Sequence, residues 1–219
     1  MKPTFKAIIP TLGGRQFWGD EYVRGGWHIQ SNILTGGFRL LSPAKLRFEQ
    51  GSFERCLATL DEQHAKPNPS RMTFMLHGLA RSWASFDVMV SMLHRQGVEA
   101  DALTYPSTRA SIQDHAVRLI RILTRLEGVE EVDFVTHSMG GIVLRHALSL
   151  RDSWPSHIRA RKIAMLAPPY KGAAMARLFK DVPPVRAVLG DALDDLAKEA
   201  DAFDIPGAID LLIIAGGMK

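Results

Sequence analysis

The stretch Val132-Asp133-Phe134-Val135-Thr136-His137-Ser138-Met139-Gly140-Gly141-Ile142-Val143 restricts the fold more than any other part of the chain. An apolar run with strand character leads into a serine, then into small residues, then into a run with helical character. A strand that passes straight into a helix must turn sharply, and the residue at the apex is held in a strained backbone conformation. Strand and helix nearly touch beside such an apex, so the positions two before and two after it need small side chains. Gly140 meets that need on one side, whereas Thr136 stands on the other where glycine is the usual solution. The competing reading of Ser138 is a plain helix N-cap, which requires no such turn.

The surroundings decide how that turn is used. From residue 71 onward, short apolar runs alternate with amphipathic ones. Residues 72–76, 98–104, 132–136, 162–167 and 209–215 read as strands. Residues 83–96, 111–127 and 139–150 read as helices, as does 173–202 with an interruption at Pro183-Pro184. Ser111 is the expected cap of the second helix, with Ile112, Val117, Ile120 and Leu123 on one stripe and Gly128 closing it. Mostly apolar strands separated by helices imply a doubly wound, mostly parallel α/β sheet covered on both faces. Upstream, residues 52–63 read as a helix capped by Ser52, and Lys66-Pro67-Asn68-Pro69-Ser70 breaks the pattern. Residues 1–50 are rich in glycine and aromatics without a periodicity that names an element. The expected division is an N-terminal appendage of unassigned role at 1–67 and a core at 68–219.

Several classes of function are disfavoured. Apolar residues make up 46% and charged residues 23% of the chain, as in ordinary globular domains. The net charge of +4 is spread along the sequence, so no nucleic-acid partner is expected. The lone Cys56 sits at helical apolar spacing and reads as a small buried hydrophobe rather than a reactive thiol. There is no signal-like start and no run of the ~18 apolar residues needed to span a bilayer. A cytoplasmic location is expected, with peripheral membrane contact left open. No cofactor is expected. Gly140-Gly141 lacks the Gly-Lys-Ser/Thr of a phosphate loop, and no His/Cys/Asp/Glu cluster has metal-ligand spacing.

Thr136-His137-Ser138-Met139-Gly140-Gly141 after an apolar strand resembles the nucleophile elbow of bacterial lipases and esterases of the α/β-hydrolase superfamily. Phe74-Met75-Leu76-His77-Gly78-Leu79 resembles the strand and His-Gly turn that build the oxyanion hole there. Leu166-Ala167-Pro168-Pro169-Tyr170-Lys171-Gly172 resembles the turn after the next strand. The resemblance covers residues 70–217. It implies a serine hydrolase acting on a small-molecule or lipid ester. Ser138 would be the nucleophile, the backbone N–H groups of Leu79 and Met139 the oxyanion donors, and His77, Gly78, His137 and Gly140 supporting residues. It places a lid at 173–208.

The resemblance also implies a triad acid and a histidine after Ser138. His146 and His157 fall on or just beyond the elbow helix, and Asp191, Asp194, Asp195, Asp201 and Asp204 fall in the lid. The acid and the histidine are therefore expected beyond Lys219, together with a last strand and helix, and 209–215 would be an apolar edge strand. Three functions stay open: an ester hydrolase, an acyltransferase or thioesterase using the same serine, and a non-catalytic module that binds lipid or protein.

Overall fold

The structure is a computed structural model that describes residues 15–168, 205 and 208–215. The expected lid helices, with their aspartates, and Tyr170-Lys171-Gly172 lie outside the described residues.

The N-terminal segment that carried no readable pattern is an antiparallel meander. Strands β1 (Trp18–Arg24), β2 (Trp27–Asn32), β3 (Phe38–Leu41) and β4 (Arg47–Gly51) pair in sequence order. Gly25 and Gly26 form the β1–β2 turn with φ of 55° and 78°, so Arg24 pairs directly with Trp27. Two consecutive positive φ angles are what a two-residue hairpin asks for. Helix α1 (Phe53–Gln63) starts at Ser52, whose hydroxyl accepts from the Arg55 N–H, and presses Cys56 and Leu60 onto Tyr22, Ile29 and Leu40. Burial pushes the Cys56 thiol up to about 11, which leaves it protonated and unreactive.

The second half follows the alternation. Strands β5 (Arg71–Leu76), β6 (Ala100–Leu103), β7 (Glu131–His137), β8 (Arg159–Leu166) and β9 (Asp210–Ile214) form a parallel sheet in the order β6-β5-β7-β8-β9. Side chains alternate across it. Phe74, Leu76, Val132 and Phe134 face one core with helices α3 (Ile112–Thr124) and α4 (Met139–Ser149). Met75 and Val135 face the other with α2 (Asp87–Arg95). This is the α/β-hydrolase architecture expected.

Some details differ from expectation. Residues 83–86 form a 3-10 turn before α2 begins. Helix α3 ends at Thr124, and Gly128 (φ 78°) instead turns the chain toward β7. Val117 is 46% exposed because, at 100° per residue, it lies far around from Ile112; the buried face is Ile112, Ala116, Leu119, Ile120 and Leu123. In β9, Leu212 and Ile214 are about half exposed among the described residues. No helix among the described residues is long and apolar enough to cross a membrane.

The two sheets are joined by polar contacts. Arg118, Arg121 and Arg125, one face of α3, all reach the buried Glu21 of β1. The Asp20 N–H donates to Thr104 O (2.8 Å), and the Thr104 N–H donates to Asp20 Oδ2 (2.6 Å). The Ala102 N–H donates to Asp101 Oδ1, and Ala100 O accepts from His94 Nε2. Groups at the free edge of β6 are thus satisfied by side chains, which blocks pairing with another chain.

His28 of β2 closes this junction, with Nδ1 3.1 Å from Asp20 Oδ1 and Nε2 3.0 Å from Asp101 Oδ1. Burial alone would lower its pKa. The Asp101 and Asp20 carboxylates outweigh burial and the adjacent Lys45 ammonium, and raise it to about 9. A folded-state pKa above the unfolded value of 6.5 gives stability that is full below pH 6.5 and lost as pH rises toward 9. Urea unfolding should therefore show a loss on the order of 2–3 kcal/mol across that window. The His28→Gln protein should lack this slope, and an equal slope in both proteins would remove His28 as its cause.

Candidate active site

Among the described residues three α-helices begin at a serine, and one of them is different. Ser52 and Ser111 have extended φ/ψ (−79°, 167° and −72°, 164°) and accept hydrogen bonds from Arg55 N–H and Asp114 N–H. Both are ordinary caps, and Ser111 completes a capping box with Asp114. Ser138, at the start of α4, has φ 51° and ψ −120°, and its side chain makes no capping bond. That conformation costs a non-glycine residue about 1–3 kcal/mol. It is held by the Ser138 N–H to Leu166 O (3.0 Å) and the Gly141 N–H to Ser138 O (3.0 Å). The helix-cap reading of Ser138 therefore fails, and the strained-apex reading stands.

The small residues have specific reasons. A Cβ on Gly140 would fall 2.3 Å from Leu76 O and 3.0 Å from His77 O, both backbone atoms that cannot swing aside. A Cβ on Gly78 would lie 3.3 Å from the Ser138 Cβ and 3.0 Å from His137 Nδ1. The His-Gly turn after β5 is thus packed directly against the serine, as its order in the sequence implied. Thr136 fits because Gly141 makes room: a Cβ at 141 would meet Thr136 Oγ1 at 3.3 Å. The threonine hydroxyl is buried and has no hydrogen-bond partner among the described residues.

The turn after β5 is held by His77, which the sequence indicated, and by Tyr105, which it did not. The His77 Nδ1–H donates to Gly78 O (2.8 Å), which leaves Nε2 to accept the Tyr105 N–H (3.3 Å). The Tyr105 hydroxyl donates to His77 O, and the two rings stack with centroids 4.1 Å apart. Burial lowers the His77 pKa to about 4, so the ring is neutral near pH 7. It serves as a hydrogen-bonding spacer and not as a proton carrier. His115 lies against the far side of Tyr105, where burial and then Arg118 push its pKa down to about 3.

A peptide plane is rigid, and its N–H points opposite to its C=O. Gly78 O is held by His77 and by the Arg81 N–H (3.2 Å), so the Leu79 N–H is aimed the other way. Met139 is the first residue of α4, where N–H groups lack intrahelical partners and the helix dipole is positive. No described hydrogen bond uses the N–H of Leu79 or of Met139. Among the described residues these two N–H groups, one residue after the Gly78 that packs against Ser138 and one residue after Ser138 itself, are without a hydrogen bond.

The remaining candidates divide. His137 is exposed, with its ring against Gly78. His146 is buried on α4 and His157 is exposed in the loop before β8. No described histidine is hydrogen-bonded to Ser138 Oγ, and no metal-binding cluster occurs among the described residues.

The PGAP1-like alpha/beta domain family model matches residues 107–218, just over half of the chain. Among solved structures, the chain is similar to Bacillus licheniformis lipase BlEst2 in its mature form, at 19% identity and a TM-score of 0.51. That match covers 69% of this chain and 68% of the other. It is also similar to the metagenomic carboxyl esterase MGS0156, at 17% identity and a TM-score of 0.50, over 69% of this chain and 53% of the other. The chain thus spans about two thirds of one structure and about half of the other, and at these identities the likeness is one of fold. No curated protein matches the sequence significantly.

Gly140→Ala should destabilise the protein by about 3 kcal/mol or more, because backbone must move to admit the methyl group. Thr136→Val should be neutral or stabilising by about 1 kcal/mol, because it removes a buried unpaired hydroxyl. Urea denaturation of the two variants reads both effects. A stable Gly140→Ala protein would mean that α4 does not approach β5 this closely.

Proposed function

Because the chain belongs to the PGAP1-like alpha/beta domain family and has the α/β-hydrolase fold, we propose that it is a serine hydrolase that cleaves carboxylic esters through an acyl intermediate on Ser138. The observation that carries this reading is the backbone of Ser138, held at φ 51° instead of capping the helix it begins, with the neighbouring Leu79 and Met139 N–H groups used by no described hydrogen bond. The Ser138 Oγ attacks the acyl carbonyl while its proton passes to a general base. The carbonyl oxygen becomes an oxyanion between the Leu79 and Met139 N–H groups, each such donor being worth ~3 kcal/mol in the transition state. Collapse expels the alcohol, which takes up a proton. Water then attacks the acyl-serine by the same steps and releases the acid. The substrate is a small-molecule or lipid ester.

A serine hydroxyl needs a base at neutral pH, so the state of Ser138 is the decisive quantity. A fluorophosphonate probe should label the folded full-length protein, and labelling should vanish in Ser138→Ala. A folded full-length wild type, verified by circular dichroism, that stays unlabelled would overturn the hydrolase reading and favour a non-catalytic binding module on the same fold.

A further inference from the structure

Gln16 lies in a 3-10 turn just before β1, far in sequence from the elbow. Its carboxamide spans two loops at the C-terminal end of the parallel sheet. Nε2 donates to Arg81 O (3.0 Å), in the loop that follows the His-Gly turn. Oε1 accepts from Ser107 Oγ (3.2 Å), the Thr108 N–H (3.1 Å) and Thr108 Oγ1 (3.0 Å), in the loop after β6. Ser107 is fully buried, and its Oγ in turn accepts the Ala80 N–H (2.9 Å). The bonds close a ring: Ala80 to Ser107, Ser107 to Gln16, Gln16 to Arg81.

That ring begins one residue after the second oxyanion donor, the Leu79 N–H. The peptide before Leu79 is held through Gly78 O, and the peptide after it through the Ala80 N–H. Ala80 has φ 58°, a left-handed conformation that a non-glycine residue keeps only where its surroundings impose it. The anchorage of Gln16 is itself firm. The next carbonyl, Phe17 O, accepts the Ile33 N–H (2.9 Å) beyond β2, and the Phe17 ring lies under the Arg109 guanidinium at 4.8 Å.

We propose that Gln16 is a positioning residue of the acyl-transfer centre: it clamps the loop after β5 to the loop after β6, and through Ser107 it fixes the direction of the Leu79 N–H. The N-terminal segment thereby contributes to the active site while touching no substrate. This role rests on the reading of Ser138 as nucleophile. It predicts a loss in the transition state and not in ground-state binding, because the oxyanion forms only as the serine attacks.

The test compares the full-length wild type, Gln16→Ala and Gln16→Glu by peptide-resolved amide exchange, by fluorophosphonate labelling rate and by p-nitrophenyl butyrate turnover. Gln16→Glu is nearly isosteric and guards against misfolding; it keeps acceptors for Ser107 and Thr108 and replaces the donor to Arg81 O with an oxygen that repels it. In Gln16→Ala, exchange over 78–83 should rise about tenfold or more while β7 stays protected. Labelling rate and kcat should fall roughly 10- to 100-fold with KM within about twofold. Gln16→Glu should loosen 78–83 while leaving 107–108 protected. A general loss of protection with unchanged kcat per folded molecule would reduce Gln16 to a structural residue and overturn the proposal. Unchanged exchange at 78–83 in a labelled protein would overturn the clamp alone. An unlabelled wild type would overturn the nucleophile reading, and this role with it, whatever the exchange shows.

Discussion

At Gly140 the first turn of α4 passes so close to the backbone of Leu76 and His77 that no side chain fits between them. The rest of the site depends on that approach. It brings the N-terminus of a helix against the C-terminal end of β5, and the short connection from β7 must then double back at Ser138 with a positive φ. The strain is local and is sustained by hydrogen bonds on either side of the serine, from its own N–H to β8 and from Gly141 to its carbonyl. The serine side chain is left without a capping bond, and the N–H groups of Leu79 and Met139 are used by no other described atom. The strained backbone of the serine and the unbonded N–H at the start of its helix are therefore consequences of one packing contact, which requires only that a single residue lack a Cβ.

The turn after β5 is stabilised differently, by polar groups removed from water. His77 is neutral because its burial disfavours the charged form, and a neutral imidazole can both donate to Gly78 O and accept from Tyr105. A protonated ring would lose the second bond. Buried polar networks of this kind stabilise only when nearly every member is satisfied, which is why they define one geometry for the loop rather than several. The N-terminal meander extends the network: Asp20 exchanges bonds with Thr104, and His28 joins Asp20 to Asp101 across the two sheets. The same contacts close the edge of β6, so the stability of the sheet and the order of the site share their supports.

Much of the parallel core was legible from local pattern. Strands β5 to β9, helices α3 and α4 and the caps Ser52 and Ser111 follow from apolar spacing and capping chemistry, which act over a few residues. Thr136 looked unfavourable beside Ser138 only because its partner was unknown. Gly141, five residues later, leaves the space that the threonine fills. Val117 was misplaced because a 13-residue helix admits more than one stripe by eye, and contact with β1 and α4 selected one. Residues 18–51 stayed opaque for a physical reason. Their strands carry buried polar residues such as Asp20, Glu21, His28, Gln30 and Arg39, so the alternation of apolar and polar side chains that marks a strand is missing.

The sequence by itself determined the succession of strands and helices from α1 onward, the place of the sharp turn and the identity of the serine at its apex, because each rests on the chemistry of neighbours along the chain. Tertiary structure alone decided that Ser138 does not cap its helix, that His77 is neutral, and that Gln16 and Ser107 hold the turn bearing Leu79. Those outcomes depend on burial and on hydrogen bonds between residues up to 92 positions apart, which no local spacing encodes.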